Sequence, residues 1–257
     1  MSEIRAEILE EVEDCIRKIK TYHKTHKRRI HSSIRKAPKV ENRLEELEQF
    51  NVAIPDDFRA LYLNYDGTKP RGLSKWELSV FLQFYWKPTD WLVSTNKIIR
   101  IESDNPSLGY LSAFSSFRAL TLNVDPSQEK DGEVPLLATL GSLSRNGYLA
   151  FDSTLAMLRS VCAAQDADIL RYESERNITA NREVDEIYYD PKELWDVIKP
   201  FNKRAEYWTA LIKNKVQWDK IEYELPTNGI IKLNPEVNKL VFGDAKDYYG
   251  KDGDKKP

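Results

Sequence analysis

The chain has 257 residues, of which 31% are charged and 41% hydrophobic, and its formal net charge at pH 7 is -2. This composition excludes collagen-like and wholly disordered chains, and no apolar run approaches the ~20 residues of a membrane-spanning helix. The acidic N-terminal sequence lacks the basic and apolar regions of a signal peptide, so we expect a cytoplasmic protein. Cys15 and Cys162 form no CxxC pair, and we expect buried, reduced thiols at both positions.

A narrow apolar stripe runs through residues 3–33, with its members three or four positions apart. This spacing predicts one long amphipathic helix that ends before Pro38. Residues 17–39, called the basic segment below, contain ten Lys and Arg residues and no Asp or Glu. The segment therefore carries +10, which leaves -12 for the rest of the chain because the total is -2.

Residues 40–67 predict two consecutive helices with apolar faces. The second helix starts at Pro55, has Asp56 and Asp57 at the positive end of its dipole, and stops at Gly67.

Aromatic residues are concentrated between Trp76 and Trp91, a stretch called the aromatic segment below. Periodicity does not decide whether this segment is a helix or a buried strand. The next stretch, residues 90–101, predicts a short helical start followed by a strand at 97–101. Three later runs are bounded by turn residues and predict strands. They are residues 119–124, 134–140 and 148–151.

A capping Asp152 or Ser153 then begins a closing helix. Helices followed by a run of short strands and a closing helix predict an α+β fold. Residues 171–186 are polar and predict a linker or an exposed helix, whereas Asp190-Pro191 starts a helix that should kink at Pro200 and then resume.

Beyond these helices, residues 221–233 predict a hairpin, and the last residues are expected to be disordered. Four regions follow from these features. They are 1–39 (the N-terminal helix), 40–165 (an α+β domain), 166–243 (a mostly helical extension with the hairpin) and 244–257 (a disordered tail).

Motifs that carry chemistry are scarce. His23, His26 and His31 all lie in the basic segment, where neighbouring cations oppose a bound dication, so we expect no metal site. No histidine follows residue 31, and the chain has no phosphate-binding glycine loop, dinucleotide fingerprint or HExxH motif. We therefore expect a protein without enzymatic activity and without a cofactor.

The sequence IPDDFRALYLNYDG, residues 54–67, resembles the signature of the SUKH superfamily, also called the Smi/Knr-type family. LEELEQFNV resembles the helix before this signature, and GEVPLLATL with residues 147–163 resembles the late strands and closing helix of the family. The resemblance covers about residues 40–164. It implies a SUKH-like core of helices and a largely antiparallel sheet, to which the N-terminal helix and the C-terminal extension are additions. It also implies a non-enzymatic interaction domain, since bacterial members are similar to toxin-neutralising immunity proteins and fungal members to scaffolds in cell-wall signalling.

Two functions are open at this point. The first is a protein-binding module whose partner is a toxin or a signalling protein, because exposed aromatic residues anchor interfaces and an acidic body suits a basic partner. Its candidate contact residues are Trp76, Tyr85, Trp86, Trp91, Asp56 and Asp57. The alternative is nucleic-acid binding by the basic segment. The candidate phosphate contacts are Lys24, Lys27, Arg28, Arg29, Arg35 and Lys36.

Overall fold

The computed structural model describes residues 4–37, 46–47, 49–68, 79–82, 84–102, 109–116, 120–140, 147–177 and 182–213. The α-helices among them are α1 (Ala6–Thr25), α2 (Asp56–Asn64), α3 (Thr89–Glu102), α4 (Thr154–Asp166), α5 (Pro191–Ile198) and α6 (Tyr207–Ile212). The strands are β1 (Ile34–Lys36), β2 (Tyr65–Thr68), β3 (Ser79–Phe81), β4 (Phe84–Trp86), β5 (Leu111–Ser115), β6 (Leu120–Val124), β7 (Leu136–Leu140), β8 (Tyr148–Phe151), β9 (Arg171–Asn177) and β10 (Arg182–Tyr188). The predicted α+β fold is confirmed.

Strands β3 to β8 form one antiparallel sheet in which neighbours along the chain are also neighbours in the sheet. In β6, the apolar Leu120, Leu122 and Val124 belong to the main hydrophobic core. Thr121 and Asn123 alternate with them and are buried on the opposite face. The sheet therefore has an apolar face and a buried polar face.

Helices cover the apolar face of the sheet. α1 packs against α2 and α4, and α5 packs against α4. The last described helix joins the same core, because Trp208 is fully buried and its indole Nε1 donates to the carbonyl of Ala150 in β8 at 2.8 Å. The core thus extends from α1 to α6.

Local capping signals are confirmed at two helices. The Ser153 hydroxyl accepts the N–H of Ala156 at 3.1 Å and begins α4. The Asp190 carboxylate accepts the N–H groups of Lys192 and Glu193 at 2.8 and 2.9 Å, and Pro191 is the first residue of α5. Both helix starts depend only on hydrogen bonds between residues that are close in sequence.

The N-terminal helix is shorter than predicted. α1 ends at Thr25, because Lys27 adopts a left-handed conformation with φ of 55°. The N–H of Arg28 then donates to His23 O at 2.8 Å and the N–H of Lys27 to Lys24 O at 3.0 Å, a pattern that closes helices. The chain continues through a 3-10 turn into β1, which pairs with β2. The prediction of one helix to residue 33 is therefore wrong.

Two predictions near the aromatic segment are also wrong. Residues 97–101 are helical, because α3 runs without a break to Glu102. Gly67 does not end α2, which stops at Asn64. Gly67 instead lies in β2 with φ of 64°, and a Cβ there would come within 2.5 Å of Pro88 N. Glycine is required there by a close backbone approach.

The described residues of the range 171–186, which are 171–177 and 182–186, form strands and neither a linker nor a helix. β9 and β10 make a regular antiparallel pair, from Arg171 opposite Tyr188 to Asn177 opposite Arg182. The strands at 120–124, 136–140 and 148–151 match the predicted runs, whereas β5 was not predicted. Trp76, the hairpin at 221–233 and the tail at 244–257 lie outside the described residues. No described helix combines the length and apolar character needed to cross a membrane.

Candidate functional site

The aromatic segment divides between core and surface. Trp86 is fully buried, with its ring 5.7 Å from that of Tyr62 and 5.6 Å from that of Phe81. Tyr85, which directly precedes Trp86 in β4, is half-buried, and so is Trp91 on α3. Trp86 is therefore a core residue, and Tyr85 and Trp91 are the described residues of this segment that remain candidates for contact with a partner.

Asp56 and Asp57 have different surroundings despite being neighbours. Asp57 is buried, and its carboxylate accepts the N–H of Phe58 at 2.8 Å and that of Leu155 at 2.9 Å. Burial raises the pKa of Asp57, and these backbone hydrogen bonds oppose the rise. Asp56 is half-buried. Asp57 thus holds the start of α2 against the start of α4, whereas Asp56 is open to solvent.

The outward side of α3 carries a row of apolar residues, called the α3 stripe below. Its members, Trp91, Ile98 and Ile101, are seven and three residues apart and hence lie on one side of the helix. Ile101 is 38% exposed, and Trp91 and Ile98 are half-buried. Sequence reasoning found Trp91 but missed the stripe, because residues 97–101 were assigned to a strand.

The start of α3 is anchored to β2. The Asp66 carboxylate accepts both the N–H and the hydroxyl of Thr89 at 2.9 Å. The middle of the helix is fixed to β5, where the N–H of Ser112 donates to Asn96 Oδ1 at 2.9 Å. These buried contacts hold the α3 stripe on a rigid support.

A buried lysine lies under α3. Lys87 is 3% exposed, and its Nζ donates to the carbonyl and the hydroxyl of Ser112 at 3.3 and 3.0 Å. Burial lowers the pKa of Lys87 to about 7. Among the described residues, no carboxylate lies within ion-pair distance of this amine. Sequence reasoning missed Lys87, because no local pattern marks this lysine as buried.

The described part of the basic segment, residues 17–37, is divided among α1, a 3-10 turn and β1 instead of forming a single helix face. Lys24, Lys27 and Lys36 are exposed, Arg28 and Arg35 are half-buried, and Arg29 lies in the 3-10 turn with its side chain outside the described part. Burial and the nearby charge of Lys36 in β1 lower the pKa of Lys20 in α1. Lys20 Nζ also lies 5.5 Å from the ring centroid of Tyr65.

A second group of rings and cations borders the end of α1. The Arg28 guanidinium lies 3.2 Å from the ring centroid of Tyr172, and the rings of Tyr22 and His26 are 4.1 Å apart. His23 is buried at 1% exposure, and burial together with the charges of Arg28, His26 and His31 lowers its pKa to about 3. His23 therefore faces the core while His26 faces solvent, and the two imidazoles do not converge.

No protein-family model and no curated protein matches the chain. The resemblance to the SUKH family therefore depends on the quoted residues and on where they lie. Residues 54–67 and 147–163 carry it, and the hydrogen bond from Leu155 to Asp57 joins these two segments across 98 positions of sequence. Among the described residues, no cluster of three or more His, Cys, Asp or Glu side chains could hold a metal ion.

Proposed function

We propose that this protein is a cytoplasmic, non-enzymatic binding module of SUKH type whose partner is a protein, either a toxin that it neutralises or a signalling protein that it scaffolds. The observation that carries this proposal is the α3 stripe, a partly exposed Trp and two Ile on a helix anchored at its start and its middle. Rigid aromatic anchors of this kind dominate the energetics of protein interfaces.

The acidic residues of the signature support a binding role over catalysis. Asp57 and Asp66 accept backbone N–H groups at the starts of α4 and α3, respectively. These hydrogen bonds place both carboxylates in structural contacts between elements. The residues that carry the resemblance therefore build the platform on which the α3 stripe is presented.

The test compares variants of the full-length tagged chain expressed in its native host. Trp91→Ala and Ile101→Ala each remove one member of the α3 stripe, and Lys192→Ala, which changes an exposed residue on α5, is the control. We expect wild type and the control to recover one specific protein, and each stripe variant to recover about tenfold less of it. Thermal melts check that all variants are folded. Equal recovery by the stripe variants, or no specific protein at all, contradicts the proposal.

The recovered protein then separates the two partner classes. A toxin expressed alone arrests growth, and co-expression with this chain restores it. A signalling protein causes no arrest, and its binding to this chain changes the output of its pathway.

A second candidate function is nucleic-acid binding, favoured by the convergence of Lys20 and Lys36. Like charges that are brought together and partly desolvated raise the free energy of the folded state, and a bound phosphate would relieve this cost. Lys24 continues the same side of α1, four residues beyond Lys20.

Salt dependence tests this alternative. Binding of fluorescent single-stranded DNA is measured at several salt concentrations for wild type, for Lys24→Ala/Lys36→Ala and for the control Lys192→Ala/Lys203→Ala. Loss of two phosphate contacts should reduce the slope of log K against log salt by about 1.4. An unchanged slope, or no binding by wild type, contradicts nucleic-acid binding. Equally tight binding of polyglutamate contradicts it too, and indicates an acidic protein surface instead.

A further inference from the structure

Two thiols from opposite ends of the core meet at the interface between α1 and α4. Cys15 and Cys162 are 147 residues apart in sequence, yet the Cys162 thiol donates to the carbonyl of Cys15 at a distance of 3.7 Å from Sγ to O. Both cysteines are free, and each is 7% exposed.

The surrounding contacts hold the thiols in this position. One turn earlier along both helices, Arg159 Nε and Nη2 donate to the two carboxylate oxygens of Glu11 at 2.6 and 2.7 Å. The Glu11–Arg159 pair precedes the Cys15–Cys162 pair along both helices. α1 and α4 therefore lie side by side and run in the same direction. The bidentate ion pair fixes the register in which Cys15 meets Cys162.

The environments of the two thiols make them chemically unequal. The neighbouring Cys162 side chain lowers the pKa of Cys15, and Lys18 and Arg159 act in the same direction, while burial and Glu11 oppose them. The neighbouring Cys15 side chain, together with burial, raises the pKa of Cys162. Since the thiolate is the reactive form of cysteine, Cys15 is suited to attack an oxidant and Cys162 to resolve the product.

We propose that Cys15 and Cys162 are a dithiol oxidation site that forms a reversible intramolecular disulfide with a hydroperoxide as oxidant. The Cys15 thiolate attacks the terminal peroxide oxygen, and the O–O bond breaks to give a Cys15 sulfenic acid and, after protonation, water or an alcohol. Cys162 loses its proton and attacks the Cys15 sulfur, which expels hydroxide that takes this proton to form water. In total, two thiols are oxidised to one disulfide while the peroxide is reduced. The low exposure of the sulfurs favours a small oxidant such as hydrogen peroxide.

The disulfide would link the first described helix to the helix that closes the α+β core. Cross-links that close long loops restrict the unfolded chain most strongly, so oxidation should raise the melting temperature by about 5–15 °C. A thiol reductant attacks the disulfide and restores both thiols, which reverses the shift.

The experiment treats the folded, full-length protein with hydrogen peroxide, blocks remaining thiols with an alkylating agent, and digests it without reduction. We expect mass spectrometry to find a peptide pair joining residues 15 and 162 at a mass two hydrogens below the sum of its parts. We also expect the higher melting temperature to appear in the monomer and to disappear after treatment with dithiothreitol.

Matched variants separate the proposed pair from general oxidation. Cys162→Ala should form a Cys15 sulfenic acid that a dimedone probe traps, and Cys15→Ala should remain unmodified. Neither variant should gain stability on oxidation. The proposal is overturned if wild type yields the cross-linked peptide only after denaturation, or yields only disulfides between molecules. It also fails if peroxide leaves both thiols of the folded wild-type protein free.

Discussion

The carboxylate of Asp57 accepts the backbone N–H of Leu155 at 2.9 Å, which joins the first turn of α2 to the first turn of α4. The N–H groups at the start of a helix have no partner within the helix. Ser153 satisfies one of them locally, and Asp57 satisfies another from a distant segment. This junction ties the helical layer together where the resemblance to the SUKH family is located.

Asp57→Ala should destabilise the protein by about 2–4 kcal/mol, because it removes the acceptor of two N–H groups, those of Phe58 and Leu155. Asp56→Ala is the matched control. Its carboxylate is half-buried and interacts mainly with the helix dipole, so the change should cost less than about 1 kcal/mol. Urea unfolding measures both, and similar losses for the two variants would contradict the assigned role of Asp57.

Gly67→Ala should be strongly destabilising, because the new Cβ would lie 2.5–2.6 Å from backbone atoms of Lys87 and Pro88. Gly132 also has a positive φ, but a Cβ there would meet no atom within 4 Å. Gly132→Ala should therefore cost only the conformational strain of about 1 kcal/mol, and Gly67→Ala distinctly more. The melting temperatures of the two variants test this order, and the prediction is wrong if they fall equally.

His23 should make the protein less stable in mild acid. In the folded state its pKa is about 3, against about 6.5 in the unfolded chain, so between these values only the unfolded state binds the proton. The free energy of unfolding therefore falls as the pH falls below 6.5. His23→Phe should remove about 2–3 kcal/mol of the loss between pH 7 and pH 4.5. The control His26→Phe changes an exposed ring and leaves burial, the largest cause of the lowered His23 pKa, in place, so it should retain most of the wild-type pH dependence in urea unfolding.

Lys87 should make the protein more stable as the pH rises above neutrality. Its pKa is about 7 in the folded state and about 10.4 in the unfolded chain, so between these values the unfolded state binds one more proton. The free energy of unfolding therefore rises as the pH rises above 7. Lys87→Met should remove about 2–3 kcal/mol of the rise between pH 7.5 and pH 9.5, whereas the exposed control Lys192→Met should not. A variant that follows the wild-type profile would show that Lys87 stays charged.

Features that depend on neighbouring residues were predictable from the sequence. The caps at Ser153 and Asp190 and the strands at β6 and β8 follow from hydrogen bonds and alternation over a few residues. The burial of Cys15 follows from its place on an apolar helix stripe. The sequence also singled out Trp91 as a candidate contact residue, and this role stays a prediction.

Features that depend on distant residues were not predictable in this way. β9 and β10 have polar sequences, yet each supplies the hydrogen-bonding partner that the other needs. Trp86 and Trp91 look alike in sequence, and only the packing of Tyr62 and Phe81 around Trp86 assigns it to the core.

By itself, the sequence determined the α+β class, the helix starts and the charge of the basic segment, because propensity, capping and composition act within a few residues. The tertiary structure alone decided where α1 ends, which aspartate is buried, and that Cys15 meets Cys162. Contacts between segments far apart in sequence set these outcomes. No local pattern encodes them, since their free energy appears only when the chain has closed on itself.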